Sequence, residues 1–410
     1  MPSNYVFVGS FVMPKPGDHD GLHVFRADTE TGALTPVASY IPSLNVGTFA
    51  FDGQRSVLYV IDEVLSTAEF RDAHSCSSGG GGQVYAFSLD KATGKLTELG
   101  HWPSFGTQPA GLALTADNSH LIVSHFTSRT VTTTVTGDHT SGFALTPRYD
   151  DATTVLFSLE GDGILGNNGK PVDVYVHPSH ASSPPACLHS VRGPKNGAFF
   201  VECDMARDQL ITLTVDSAAS SLNIQEVRDV PVRDAHAHSG PRYSAFHPTL
   251  PIFYVNYEYS PIIETFSYAK TSPKDVKASE TRSPSYTSVS TVDVLPGELP
   301  GLDQKPGVLL SDLIVHPSGN FAYTLVRGHN VVSGFKVDGE TGALKRIQTA
   351  QLGGNSPKGC TIGENGRWLY IALSQSSAVE VWRIGDDGLL EATDSTVTVP
   401  RPSAMLAVEV

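Results

Sequence analysis

Charged and ring-bearing residues suited to binding and protonating a small molecule recur at corresponding points along this 410-residue sequence. In chain order, the principal members are His189, Asp204, Arg242, Glu258 and Arg327. Arginine binds carboxylate and phosphate groups through two parallel hydrogen bonds, and histidine exchanges protons near neutral pH. A set of this kind predicts a site at which a small anion is bound and a proton is transferred.

Each of these residues directly precedes one apolar segment of a repeat or directly follows the next. A position buried between sheets would repeat as an apolar residue, whereas these positions differ from copy to copy. We therefore expect them to converge at one mouth of a central channel. Residues at the same or adjacent positions that we expect to bind substrate are Lys358, Tyr243, Asp204, Asp312 and Glu63. The competing interpretation is that such charges only pair with each other and hold neighbouring units together.

The elements that would position these residues are copies of one short repeat. Half of it is an apolar segment, a turn and a second apolar segment, as in 48–60 and 111–123, with six complete copies. The other half is a strand, often an acidic turn with Thr-Gly, and another strand, as in 84–96 and 332–344, with seven copies. β-Branched and aromatic residues flanking turns indicate hairpins, and four strands per unit repeated radially indicate a propeller.

The seventh copy of the first half is divided between the two chain ends. Met405–Val408 would form its first strand and Tyr5–Val8 its second, which would cover two otherwise open sheet edges. The sequence thus predicts an all-β fold, a seven-bladed β-propeller closed by its N- and C-terminal strands, with residues 1–410 in a single domain. A parallel β-helix is the rival architecture, but its repeats are shorter and more regular. Four long insertions are interpreted as loops: 64–82, 126–152, 160–187 and 271–306.

Composition narrows the classes of partner. The formal net charge is −14 and no basic stripe is visible, which argues against a nucleic-acid partner. No run of about 18 apolar residues is present, so a membrane span is not expected. The apolar start is too short for a signal peptide, and we expect a cytoplasmic location. The oligomeric state is left open.

Metal and cofactor sites are not expected. The four cysteines have no Cys-x-x-Cys spacing, which argues against a disulfide framework or a zinc site. His236-Ala237-His238 offers two imidazoles but no evident third ligand. We therefore predict neither a metal nor another cofactor.

Several motifs give the chain a specific resemblance. The Tyr-Val-Phe-Val-Gly-Ser start, the Thr-Gly-x-Leu turns and Gly240-Pro241-Arg242 resemble the lactonase family of seven-bladed propellers. That family includes the carboxy-cis,cis-muconate cyclases of fungi and a bacterial type of 6-phosphogluconolactonase. The resemblance runs over almost the whole chain. The site residues it implies are His189, Arg242, Glu258 and Arg327.

The sequence departs from the family pattern at three points. Tyr243 stands where family members commonly have His after Gly-Pro-Arg. Cys187-Leu188-His189 replaces a frequent His-x-His, and Lys358 occupies a place where Arg is frequent. These differences predict a changed substrate or a loss of catalysis.

The resemblance implies a lactone-forming or lactone-opening enzyme acting on a small anionic substrate, most like a carboxy-cis,cis-muconate cyclase. Arg242 and Arg327 would hold the anion, while His189 and Glu258 would transfer the proton. A 6-phosphogluconolactonase-type hydrolase is the alternative within the family. Two further hypotheses are a non-catalytic propeller that binds a partner protein, and a metal-dependent lactonase or oxidoreductase on the same scaffold.

Overall fold

The computed structural model describes residues 4–11, 21–65, 81–128, 132–140, 142–179, 184–230, 238–269, 285–296 and 308–410. These residues contain 30 strands and one 3-10 turn at Asn167–Gly169. Within the described ranges, no helix is long and apolar enough to cross a membrane.

The strands follow one another in antiparallel order along the chain. They are β1 (Asn4–Ser10), β2 (Leu22–Ala27), β3 (Leu34–Tyr40), β4 (Val46–Asp52), β5 (Val57–Asp62), β6 (Gln83–Leu89), β7 (Leu96–Pro103), β8 (Thr107–Leu114), β9 (His120–Phe126), β10 (Thr132–Asp138), β11 (Gly142–Arg148), β12 (Ala152–Ser158), β13 (Asp173–His177), β14 (Leu188–Arg192) and β15 (Phe200–Asp204). The second half comprises β16 (Gln209–Asp216), β17 (Ser221–Asp229), β18 (Pro241–Phe246), β19 (Ile252–Tyr257), β20 (Ile262–Tyr268), β21 (Tyr286–Asp293), β22 (Leu309–Val315), β23 (Phe321–Arg327), β24 (Val331–Val337), β25 (Leu344–Gln351), β26 (Pro357–Ile362), β27 (Trp368–Leu373), β28 (Ala378–Ile384), β29 (Leu390–Thr398) and β30 (Pro402–Glu409).

Seven four-stranded sheets form the blades of a propeller. Blade 1 contains β4 to β7, and blade 2 contains β8, β9, β12 and β13. Blades 3 to 6 contain β14 to β17, β18 to β21, β22 to β25 and β26 to β29, respectively. Blade 7 contains β30, β1, β2 and β3. The first strand of each blade contacts the first strands of both neighbouring blades, so these strands form a closed ring around the channel.

The chain ends close the ring as the sequence predicts. β1 pairs with β30 on one side and β2 on the other, with Tyr5 opposite Val408. The hydroxyl of Ser403 donates to the carbonyl oxygens of Gly9 and Val46, at 3.0 Å each, and so ties this blade to blade 1. The predicted seven-bladed fold with terminal closure is therefore confirmed.

The blades are joined by a recurring hydrogen bond. An aromatic or imidazole side chain on the second strand of one blade reaches the loop between the third and fourth strands of the next. Tyr or Trp donates to a carbonyl oxygen in the pairs Tyr5 Oη to Lys91 O, Tyr59 Oη to Gly163 O, Tyr254 Oη to Gly342 O, Tyr323 Oη to Gly388 O and Trp368 Nε1 to Thr29 O, at 2.7–3.0 Å. In the sixth pair, His120 Nε2 and Ser220 Oγ share a hydrogen bond of 2.9 Å. We refer to these pairs as the inter-blade hydrogen bonds.

This contact explains the Thr-Gly turns of the sequence. Gly94 has a φ of +75°, and a Cβ atom there would lie 2.3 Å from a ring carbon of Tyr5. Both the left-handed backbone and the close approach of the neighbouring ring therefore require glycine. Asp90 closes the same turn by accepting the hydroxyl of Thr93 at 2.7 Å.

Three of the four predicted loops contain strands, which corrects the sequence interpretation. The insertion 126–152 includes the hairpin of β10 and β11, 160–187 includes β13, and 271–306 includes β21. β13 and β21 are outermost strands that lack the short Thr-Gly turn before them, and four of the eight side chains of β21 are Ser or Thr. An outermost strand needs no continuous apolar face, so its periodic signal is weak. Most of the insertion 64–82 lies outside the described residues.

Candidate active site

The channel ends in a small polar pocket at one rim of the ring. Its lining residues are Gly47, Glu63, Ala110, His189, Arg242, Tyr243, Lys358 and Ser403, which come from six of the seven blades. The pocket has a volume of about 40 Å³. That is room for about three water molecules, at roughly 10–15 Å³ each. We call it the polar pocket.

β-Bulges direct these side chains into the channel. In the first two strands of every blade, the register shifts at the opening of the inner strand. In blades 3, 4 and 6, the extra unpaired residue is His189, Arg242 and Lys358, respectively. A bulge inserts one residue, bends the strand and re-aims a side chain, which accounts for residues of this kind at a position where a regular strand would place an apolar residue.

Arg242, Glu258 and Arg327 form a buried ion-pair triad. Arg242 Nε lies 2.8 Å from Glu258 Oε2, and Arg327 Nη2 lies 2.9 Å from Glu258 Oε1. Burial opposes the ionisation of Glu258, but the two guanidinium groups outweigh it and hold the pKa of this carboxyl below its ordinary value. Glu258 is therefore a carboxylate that orients two arginines.

The triad leaves guanidinium donors without acceptors. Arg242 Nη1 and Arg327 Nε are buried and have no hydrogen-bond partner among the described residues. A buried donor without an acceptor costs about 1–3 kcal/mol. Arg242 also lines the polar pocket, so an anion bound there would satisfy it.

His189 stands beside these donors in a neutral form. Burial, followed by Arg242, Arg327 and Lys358, lowers the pKa of His189 well below its ordinary value. Its ring makes edge contacts with Phe126 and Tyr243, at centroid separations of 5.3 and 5.0 Å. Its Nδ1 atom is buried without a hydrogen-bond partner among the described residues. A neutral imidazole can accept a proton at physiological pH.

Lys358 and Tyr243 also line the pocket, Lys358 as a cation and Tyr243 as a neutral hydroxyl. Burial lowers the pKa of Lys358 to about 8, although Glu63 acts in the opposite direction. The ammonium nitrogen lies 3.6 Å from the ring centroid of Phe11. Burial raises the pKa of Tyr243 to about 12, so its hydroxyl remains a hydrogen-bond donor. The pocket thus combines neutral donors and a proton acceptor with cations, the composition suited to a small anion.

Comparison with known proteins agrees with this architecture. The family described as lactonase, 7-bladed beta-propeller, matches residues 5–136 and 128–407. The chain belongs to this lactonase family. The 6-phosphogluconolactonase of Bacillus subtilis is 23% identical over 406 residues, covering 97% of this chain and 96% of its own. That of Formosa agariphila is 24% identical over 385 residues, covering 92% of each. The solved periplasmic gluconolactonase of Pseudomonas aeruginosa superposes with a TM-score of 0.77 at 19% identity, covering 100% of this chain and 99% of its own.

Two predicted substrate ligands of this lactonase-family chain do not line the polar pocket. Asp204 is fully buried, accepts the backbone N–H of Cys187 at 2.9 Å and lies 3.9 Å from Arg207. Asp312 accepts the backbone N–H of Cys360 at 2.9 Å, which links blade 5 to blade 6. Both carboxylates anchor backbone around the site.

Sequence reasoning missed the small residues and aromatic rings of the pocket. Gly47 lets Glu63 approach, because a Cβ atom at Gly47 would lie 2.8 Å from Glu63 Oε2. Ala110 and Ser403 occupy the same repeat position as His189 and leave space in the channel. The alternation of small and charged residues at this repeat position is the sequence signal that could have identified these small pocket residues. No repeat position pointed to Phe11, which faces Lys358.

The pair of imidazoles considered as metal ligands lies only partly within the described residues. His236 is outside them, while His238 Nδ1 lies 3.1 Å from Asp208 Oδ2. Across the part of the chain that the structure describes, no three His, Cys, Asp or Glu side chains come together as metal ligands would.

Proposed function

We propose that this chain hydrolyses a lactone that carries a carboxylate or phosphate group, with 6-phosphogluconolactone as the first substrate to test. The observation that carries the proposal is the buried Nη1 donor of Arg242, which has no acceptor in the described part of the chain and lies on a residue that lines the same small pocket as a neutral His189. The names of similar proteins favour lactone opening over ring closure. Muconate cyclisation is therefore the second candidate.

The residues of the pocket suit a water-dependent ring opening. Arg242 and Lys358 would bind the anion or the carbonyl oxygen of the lactone. His189 would take a proton from a water molecule as its oxygen attacks the carbonyl carbon, and Arg242 would stabilise the resulting oxyanion. The imidazolium of His189 would then return the proton to the ring oxygen as the carbon–oxygen bond breaks. The product is the hydroxy acid.

Glu258 has a supporting role in this scheme. Its two oxygens accept from Arg242 and Arg327, and its pKa is lowered, so it does not carry the proton. It fixes the planes of the two guanidinium groups, of which that of Arg242 lines the polar pocket.

The test is a panel of lactones and cis,cis-muconates read by acid release and by ultraviolet absorbance. We expect 6-phosphogluconolactone or another anionic lactone to be opened, with loss of turnover in Arg242→Lys. Conversion of a muconate without opening of any lactone would replace the proposal with the cyclase. A normal turnover in Arg242→Lys together with an early melting transition would assign the charges a purely structural role.

Dialysis separates this mechanism from its metal-dependent rival. The proposed steps use only side chains of the polar pocket, so activity should survive dialysis against a strong chelator. Loss of activity that one divalent ion restores would favour a metal-dependent lactonase and direct attention to His236 and His238.

A further inference from the structure

A second, apolar cavity lies on the same rim as the polar pocket. Its lining residues are Tyr149, Pro184, Pro185, Cys187, Met205, Ala206, His238 and Tyr259. The cavity has a volume of about 440 Å³, against about 40 Å³ for the polar pocket. The polar pocket thus has about a tenth of the volume of this second cavity. We call the larger cavity the rim groove.

The topology places the rim groove beside the proposed site. Cys187 and Met205 flank the first two strands of blade 3, just before β14 and just after β15. His238 and Tyr259 hold the equivalent places in blade 4, before β18 and after β19. Blades 3 and 4 are the blades that supply His189, Arg242 and Glu258.

One layer of side chains separates the two cavities. Phe126, Cys187 and Met205 pack together with Ala110, which itself lines the polar pocket. On its other side, Phe126 contacts the ring of His189, with centroids 5.3 Å apart. The polar pocket and the rim groove are therefore adjacent on this rim.

The lining of the groove is largely apolar. Met205 and Cys187 present sulfur, and Tyr259 presents a ring whose hydroxyl lies 4.0 Å from the sulfur of Met205. Apolar walls of this kind reward the burial of hydrocarbon, whereas hydroxyl groups would lose hydrogen bonds to water there.

We propose that the rim groove binds a hydrocarbon substituent of the substrate. The preferred ligand is then amphipathic, with an anionic head in the polar pocket and an alkyl or aryl chain in the groove. This inference rests on the proposed function for the lactone itself, while the binding of an amphipathic anion is independent of catalysis.

Straight-chain carboxylates test the groove without any reaction. Dissociation constants of acetate, butyrate, hexanoate and octanoate are measured by titration calorimetry. We expect affinity to rise by roughly two- to fourfold for each added methylene, as for hydrocarbon leaving water. An affinity that does not change from acetate to octanoate would overturn the proposal.

Two variants then test where the hydrocarbon chain of the ligand binds. Ala206→Gln fills the groove and Tyr259→Ser removes one wall, so each should flatten the dependence of affinity on chain length. The matched control is Ala218→Gln, in the exposed turn at the opposite end of blade 3, which should keep the full dependence. If affinity depended on ligand chain length in both groove variants as it does in the unmodified protein, the hydrocarbon chain would bind elsewhere and the proposal would be refuted.

One further variant tests whether the groove and the polar pocket act together. Arg242→Gln removes the anchor of the head group and should abolish binding of every member of the series. Octanoate that still binds Arg242→Gln with its original affinity would show that the groove is unconnected to the pocket, against the proposal.

The two proposals fail in different ways. A chain-length dependence that the groove variants remove, without opening of any lactone, supports the groove and refutes the proposed function. Turnover of 6-phosphogluconolactone without any chain-length dependence supports the function and refutes the groove.

Discussion

At the scale of single residues, the hydrogen-bond and ion-pair partners of a side chain decide which chemical role it can have. The sequence suggested that Glu258 could share proton transfer with His189, because both are titratable and close in the repeat. The structure gives Glu258 two arginine partners, whereas the buried Nδ1 atom of His189 has no hydrogen-bond partner among the described residues. A carboxylate held by two guanidinium groups keeps its charge, so the imidazole is the group of this pair that can exchange a proton.

Replacing His189 should therefore remove rate and leave the fold intact. In His189→Gln the proton acceptor is lost while no hydrogen bond of Nδ1 is broken, so turnover should fall by about 10²–10⁴. Turnover on the substrate found in the panel is measured together with the melting temperature. The control is His101→Gln, on the half-exposed outer strand of blade 1, which should change neither value. A melting temperature that falls while turnover persists would contradict the role of His189.

Lys358 should set the alkaline limit of the reaction. Its pKa is lowered to about 8, and only the protonated form attracts an anion, so binding is present below this pH and lost above it. We expect kcat/KM of the unmodified protein to decline above pH 8. In Lys358→Arg the cation persists at all accessible pH values, so the decline should vanish. An identical alkaline decline in both proteins would assign it to another group.

At the scale of strands, the sequence predicts those strands that have more than one signal, such as an apolar pattern together with a turn motif. The first two strands of each blade are largely buried and apolar, and in blades 1, 5 and 7 a Thr-Gly turn joins the next two strands. β13 and β21 each have only one strand signal in the sequence. Pairing with the neighbouring strand of the blade, rather than a hydrophobic pattern, makes these segments strands. The register of the repeat located the rim positions and hence His189, Arg242 and Lys358, which the structure shows to be bulged.

Repeat register alone could not sort the acidic residues. Asp204 and Asp312 occupy places next to those of the pocket residues, yet each carboxylate accepts a backbone N–H of a neighbouring segment. Which way a side chain turns at a bulge depends on the local bend of the strand and on its partners, neither of which the sequence pattern encodes.

Removing β1 should abolish folding. β1 is the second strand of blade 7 and pairs on both sides, with β30 and β2. Deleting residues 1–10 would open the ring and expose two apolar edges, so we expect insoluble protein or loss of the cooperative melting transition. Deletion of residues 1–3 alone keeps every residue of β1 and serves as the control. A soluble protein with an unchanged melting temperature after the longer deletion would contradict terminal closure.

At the scale of the whole molecule, the ring distributes its stability over blade interfaces. Among the described strands, the extensive contacts of each blade are with its two neighbours, and inter-blade hydrogen bonds of the same kind recur around the ring. Unlike an open array of repeats, a closed ring cannot lose one blade from an end. A weakened interface should thus lower the stability of all seven blades together.

Two distant inter-blade hydrogen bonds test this cooperativity. Tyr59→Phe removes the bond from blade 1 to Gly163 of blade 2, and Tyr323→Phe removes the bond from blade 5 to Gly388 of blade 6. Each change should cost about 1–3 kcal/mol in the free energy of unfolding, because a carbonyl oxygen loses its donor. Since the two sites lie in different interfaces and share no partner, the double variant should show the sum of the two losses within about 0.5 kcal/mol.

Urea unfolding followed by tryptophan fluorescence and circular dichroism measures these free energies, with Tyr175→Phe on the exposed strand β13 as the control. A single variant that unfolds in two separate steps would show that the blades do not unfold as one unit.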